Sequence, residues 1–310
     1  MHLQTLIAGS ALLALAAPAA HANIEYLYSY DFRAPGSGTA FGGKNGSVRT
    51  NTPFYAEDTT PFITHFAGSG QLRSEVRFSG RADTRTREFG ASARVITELS
   101  PFPANRPPGP DVVLQTSASA TIRLTDRITP NSGLVAAGAE TIVDFAPVSF
   151  HGQLGNSGWA TSAGGASVLA LLTVTPVSGH GEAVSRKFDD ALLPNQLQQD
   201  FRGHQDLFSD LPLLNGVTYA WSLSLTVTAA MIPAVFPNTD PPTSEAWAEF
   251  GNTLRWGGIS AARDASGTVL DDFTIASASG FDWVSPVPEP ATAALLAAGL
   301  LALALRRRTR

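Results

Sequence analysis

Apolar and polar residues alternate with a period of two over several long stretches, and that period predicts strands rather than helices. Between 217 and 229, Val217, Tyr219, Trp221, Leu223, Leu225 and Val227 share one face, against Thr218, Ala220, Ser222, Ser224, Thr226 and Thr228. Between 112 and 124, Val112, Leu114, Ala118, Ala120, Ile122 and Leu124 oppose Val113, Gln115, Ser117, Ser119, Thr121 and Arg123. Ile24, Tyr26, Tyr28, Tyr30 and Phe32 oppose Glu25, Leu27, Ser29 and Asp31 in the same way. One apolar and one wet face per strand indicates antiparallel sheets. The run 167–175 is apolar on both faces, which predicts a central strand. Turn residues punctuate the pattern at Gly42–Gly46, Pro130–Gly133, Asn215-Gly216 and Asp264–Gly267, and the five prolines of Pro101–Pro110 predict a loop. Phe188, Leu192, Leu193, Leu197 and Phe201 recur at three-to-five spacing, which predicts short helical turns within 186–202. The Ser/Gly-rich stretch 152–167 predicts a flexible loop. No period repeats along the chain, which argues against a propeller or solenoid. The expected architecture is all-β: one antiparallel β-sandwich, jelly-roll-like, over residues 23–285.

The two ends follow a different pattern. Leu3–Ala17 is an apolar run leading to Ala20-His21-Ala22, whose small residues suit positions −3 and −1 of a signal-peptidase site. Residues 1–22 therefore read as a signal peptide cleaved before Asn23. At the other end, Val287-Pro288-Glu289-Pro290 precedes the apolar run Ala291–Leu305 and then Arg306-Arg307-Arg308-Thr309-Arg310. A 15-residue run spans about 22 Å as a helix, short of a hydrocarbon core of about 30 Å. The arginines are expected on the cytoplasmic side of the membrane, with the body on the other.

The order of Pro288-Glu289-Pro290, a short hydrophobic helix and an Arg-rich tail resembles the PEP-CTERM sorting signal of Gram-negative bacteria, over residues 286–310. The resemblance implies export, recognition by a membrane-embedded exosortase, and removal of the tail. It implies a destination and no activity. A second likeness lies upstream: Ala248–Leu254, the turn at Asp264–Gly267 and Ser277–Gly280 resemble the terminal hairpin of such surface proteins, with Glu249-Phe250 where the usual pattern has Asp-Phe.

Composition narrows the function classes. The 310 residues are 44% hydrophobic, enough to build a core, and contain no cysteine. That excludes disulfides, thiolate metal sites and a cysteine nucleophile. Residues 23–285 carry 17 basic against 25 acidic residues, a balance unsuited to nucleic acid. Six arginines fall between 73 and 94: Arg73, Arg77, Arg81, Arg85, Arg87 and Arg94. They form either an Arg/Glu ladder across strands or a patch for anionic polysaccharide.

Candidate chemistry is sparse. His65, His151, His180 and His204 lie at no metal-ligand spacing, and no Gly-x-Ser-x-Gly elbow is present. Asp271-Asp272, or Asp206 and Asp210 with Asp189-Asp190, could contribute to a calcium site, but no Asp-x-Asp-x-Asp-Gly loop exists. No metal or cofactor is expected. A glycosidase needs two carboxylates roughly 5–9 Å apart across a cleft. Glu245 and Glu249 flank Trp247 and would share its face in a strand, on what reads as a solvated sheet edge. Trp247 and Trp256 either pack or present a ligand platform with those acids, whereas Trp221 reads as core.

The expected function is that of a non-catalytic exported protein at the cell surface or in the exopolysaccharide matrix, transiently anchored in the inner membrane through 291–305. Signal peptidase and exosortase are its expected partners during export, with extracellular polysaccharide a further candidate. The alternative is a lectin-like or carbohydrate-active module.

Overall fold

The alternation becomes burial along β15 (Tyr219–Met231), where Tyr219, Trp221, Leu223, Leu225, Val227, Ala229 and Met231 are all buried. Ser222, Thr226 and Thr228 on the same strand stay partly exposed. β6 (Gln115–Asn131) buries Ala118, Ala120, Ile122 and Leu124, and β1 (Asn23–Arg33) buries Ile24, Tyr26 and Phe32. This computed structural model describes residues 23–33, 40–50, 54–66, 70–83, 87–99, 115–145, 148–157, 165–179, 181–192, 196–202, 204–205, 210–231, 243–281 and 283–284. Residues 1–22, expected to be a signal peptide, the proline-rich stretch 101–110 and residues 285–310 lie outside them.

A first, seven-stranded sheet has the order β11 (Val184–Ala191), β10 (Gly165–Pro176), β15, β6, β1 and β2 (Ala40–Thr50). β18 (Thr274–Ser277) also pairs with β6. The second, eight-stranded sheet runs β12 (Gln198–Phe201), β9 (Gly152–Ser157), β16 (Ser244–Arg255), β5 (Glu88–Leu99), β4 (Gly70–Asp83) and β3 (Phe54–Phe66). Its remaining members are β8 (Val148–Phe150), which pairs with β16, and β13 (His204–Gln205), which pairs with β8. A small three-stranded sheet is made of β14 (Leu211–Leu214), β7 (Glu140–Phe145) and β17 (Ile259–Asp264). The described pairings are antiparallel, and the two large sheets face each other as a sandwich.

The inner faces differ in size. The second sheet offers Ala91, Ala93, Ala246 and Ala248 in its middle, and the first answers with Ile122, Leu124, Leu223 and Leu225. Small against large residues let the layers close at native density. At one point the fit requires glycine: a Cβ on Gly80 of β4 would lie 2.3 Å from the ring of Tyr26 in the opposite sheet. Burial pushes the Tyr26 phenol well above its usual range. A raised folded-state pKa gives stability that is complete below the unfolded value of about 10 and is lost as pH rises beyond it. Tyr26→Phe is therefore expected to weaken the fall in denaturant midpoint between pH 8 and pH 11. An unchanged fall would mean that Tyr26 does not contribute to it.

Three expectations are corrected. The described residues of 186–202 form no helical turns: β11 and β12 are edge strands of opposite sheets, and burial in β11 alternates with period two. Phe188 and Phe201 meet edge-to-face at 6.1 Å between them, so the irregular apolar spacing reflects a crossing from one sheet to the other. Residues 152–157 are strand β9 rather than loop. The expected terminal hairpin does not form, because β16 pairs with β5 and β9, and β18 pairs with β6. The turn between its parts is present: Asp264 accepts hydrogen bonds from the Ser266 and Thr268 amides, which hold its carboxyl below the usual range together with the Ser266 hydroxyl.

β10 is interior to its sheet, as its sequence implies. Its burial nonetheless alternates, with Leu169 and Leu171 partly exposed on the outer face.

Candidate functional site

The outer face of the second sheet brings together most of the chemistry-bearing residues named from the sequence. β16 is interior, between β9 and β5, and not the solvated edge expected from sequence. Its residues Glu245, Trp247 and Glu249 do share one face, since their neighbours Ala246, Ala248 and Phe250 are buried on the other.

The three side chains diverge. Both glutamates reach toward β5 and meet the guanidinium of Arg94. Arg94 Nε donates to Glu245, and Arg94 Nη1 donates to Glu249 at 3.2 Å. The hydrogen bond to Glu245 is the main cause that raises the Arg94 pKa. Two acids tied to one cation do not face each other across an open cleft, which a glycosidase would need.

Trp247 turns the opposite way, toward β9. Its Nε1 donates to Gln153 Oε1 at 3.1 Å. The indole edge occupies the space above Gly155, where a Cβ would come within 2.2 Å of Cζ2 and 2.3 Å of Cε2. Glycine at 155 is what lets the ring lie over the neighbouring strand. The network continues to β12, where Gln153 Nε2 and Gln198 Nε2 donate to Asp200 Oδ1 at 2.9 and 2.8 Å. The Gln153 and Gln198 bonds hold the Asp200 carboxyl below the usual carboxylate range.

Trp256 does not belong to this platform. It is 2% exposed and packs against Trp221, Trp283 and Phe145 at ring-centroid distances of 5.3, 5.5 and 4.7 Å. Trp221 is core, as expected.

Of the described arginines among the other five, Arg81 forms a pair across strands, whereas Arg73 and Arg77 pair within β4. Arg73 and Arg77 pair with Glu75 at 3.6 and 2.5 Å, and Arg81 pairs with Glu88 at 3.6 Å. Exposed pairs of this kind contribute about 0–1 kcal/mol each. Arg87 is buried and lies 5.2 Å over the Phe281 ring, and Arg85 is outside the described residues.

The described calcium candidates are dispersed, and Asp206 lies outside the described residues. Asp272 accepts from Ser132 Oγ, Asp210 pairs with Arg263, Asp189 pairs with Lys187, and Asp190 accepts from Gln199. His151 is exposed; of the other histidines no side chain is described. Among the described residues no three His, Asp or Glu side chains gather as a metal site.

Gln153, Gln198 and Asp200 were not legible as site residues. They sit on β9 and β12, whose sequences read as loop and helical turn. On the outer face of the first sheet hydroxyls pair with one another, as in Thr121 with Thr226 at 2.9 Å, and Thr228 with Ser119 at 3.4 Å beside an open depression.

Comparison with known proteins adds the destination. Residues 286–308 match the PEP-CTERM protein-sorting motif. No curated protein matches the chain. One solved structure is described as the structural basis for the promiscuous specificity of carbohydrate-binding modules from the β-sandwich superfamily. It is 9% identical and covers 74% of this chain and 84% of its own, but at a TM-score of 0.15 nothing about this protein follows from it.

The chain is thus a β-sandwich carrying a C-terminal sorting signal. The motif marks an exported protein sorted to the cell surface and implies processing by exosortase-type machinery. Among the described residues no helix is long and apolar enough to cross a membrane, and the apolar run 291–305 lies outside them.

Proposed function

We propose that this is a non-catalytic structural or adhesive protein of a Gram-negative bacterium. Its sandwich is displayed at the cell surface or held in the exopolysaccharide matrix after an exosortase removes the tail. The sorting motif at 286–308, directly after a folded all-β body, carries this reading. The filled core and the pairing of Glu245 and Glu249 with Arg94 favour a non-catalytic role. The strand orders β11-β10-β15-β6 and β12-β9-β16-β5 support a jelly-roll reading, because chain order alternates between the sheets as two Greek keys require.

The first described residue and the C-terminal strand β18 lie on the same side of β6, which suits a body tethered during export. Asn23 pairs with Thr125 of β6, and Ser277 pairs with Ile128 farther along the same side of that strand. Signal-peptidase cleavage would place the new amine at Asn23. Transient anchoring through Ala291–Leu305 and cytoplasmic Arg306–Arg310 complete the scheme.

In a host carrying the exosortase, intact mass of surface-extracted protein is expected to lack Ala291–Arg310. Deleting the four tail arginines should leave the protein mis-sorted. A surface-extracted mass that still includes 291–310 would make the segment a plain anchor.

A further inference from the structure

We infer that the outer face of the second sheet around Trp247 binds a neutral glycan chain built of pyranose rings. This goes beyond surface display, because it assigns the body a ligand.

A pyranose presents an apolar C–H face and a rim of hydroxyls, so a site for it needs an aromatic surface with planar hydrogen-bonding groups beside it. Trp247 supplies the first. Trp221, Trp256 and Trp283 are buried, whereas Trp247 keeps part of its surface on the outer face. Its orientation is fixed without a ligand, by the bond to Gln153 and by the seat over Gly155. A ring already held in place spares the entropic cost of ordering it on binding.

Gln153, Gln198 and Asp200 supply the second requirement. They form one connected network running from Trp247 to the β12 edge. Amide and carboxylate oxygens have more lone pairs than this network uses, which leaves acceptors for sugar hydroxyls.

Charge selects the class of glycan. Arg94 is shared by Glu245 and Glu249, Arg73 and Arg77 pair with Glu75, Arg81 pairs with Glu88, and Arg202 pairs with Asp200 at 3.8 Å. An anionic polysaccharide would have to break those pairs and approach Asp200 and Glu249. A neutral chain meets neither cost.

The test is affinity electrophoresis of the full-length protein in mild detergent, with hydroxyethylcellulose and xylan as neutral probes and alginate as the anionic one. At least one neutral probe is expected to retard the protein, with little change between 50 and 500 mM salt, while alginate does not. Trp247→Ala should weaken retardation at least tenfold, and Trp247→Phe should retain binding within about threefold, as stacking on a ring requires. Gly155→Ala and Gln153→Ala, which misplace the indole without removing it, should each weaken binding several-fold. Denaturation midpoints of each variant separate lost binding from lost fold. Retardation by neither neutral probe, equal binding by Trp247→Ala, or preference for alginate would overturn the proposal. Tail processing, read by mass, stands or falls independently of these outcomes.

Discussion

Trp256→Ala is expected to lower stability by about 3–5 kcal/mol, the range for truncating a large buried aromatic residue. Trp256 closes one end of the sandwich. Its ring touches Trp221 of the first sheet and Phe145 of the three-stranded sheet, and it lies 5.5 Å from Trp283 of the C-terminal segment. Its backbone amide donates to the carbonyl of Arg87 at 3.0 Å, in the turn entering β5. Few neighbours can move into the resulting cavity, because each is anchored to a different sheet or segment. The same change at Trp247 removes a partly buried ring seated over Gly155 and one hydrogen bond, and is expected to cost about 1–2 kcal/mol, well below Trp256. Denaturant unfolding of the two variants side by side is the measurement. Equal midpoints would show that the aromatic cluster does not close the fold and that the two tryptophans are energetically alike.

That contrast marks the limit of what the pattern along the chain can convey. Trp247 and Trp256 lie nine positions apart, an odd spacing that puts them on opposite faces of an alternating stretch, yet grouping them as one aromatic platform passed over that parity. Trp256 lies one residue beyond β16 and past the register shift between Phe250 and Leu254, and it stays on the buried side with Leu254. Strands with large apolar residues at every second position, such as β15, β6 and β1, were legible because half-burial imposes that period.

β9 was not legible, because its glycines owe their place to ring atoms from β16. Phe250 fills the space at Gly152, and Trp247 fills it at Gly155. A strand whose missing side chains are replaced by those of its neighbour looks like a loop when read alone. The Arg94 pairing with Glu245 joins residues 151 positions apart, and no local pattern conveys such a contact. The glutamates were visible as candidates, but the cation that ties them together was visible only as one arginine among six.

Asp126→Ala is expected to cost about 2–4 kcal/mol and to free the C-terminal segment before the rest of the body unfolds. The Asp126 carboxylate accepts bonds from Ser277 Oγ at 2.7 Å, Ser279 Oγ at 2.6 Å, the Ser279 amide at 3.2 Å and Trp283 Nε1 at 3.2 Å. Removing it leaves several donors of one segment without their shared acceptor, and hydrogen bonds to a charged group are the stronger kind. Beyond the carboxylate, residues 278–284 keep the Ala278 amide to the Arg127 carbonyl and the Ile259 amide to the Trp283 carbonyl, both 2.8 Å, with Trp283 packed on Trp221 and Trp256 and β18 paired with β6 just before them. The location gives the effect its functional weight. The segment ends at Val284, the last described residue before the sorting motif at 286–308, and Asn23 pairs with Thr125, the residue next to Asp126. A tether pulling on either end of the body would load this point first. Limited proteolysis under native conditions should therefore cut the variant within 270–284 while leaving the two large sheets intact, with Asp126→Asn intermediate because its single amide oxygen can still accept. Cleavage spread evenly over the chain, or protection equal to that of the unaltered protein, would show that Asp126 does not hold the junction.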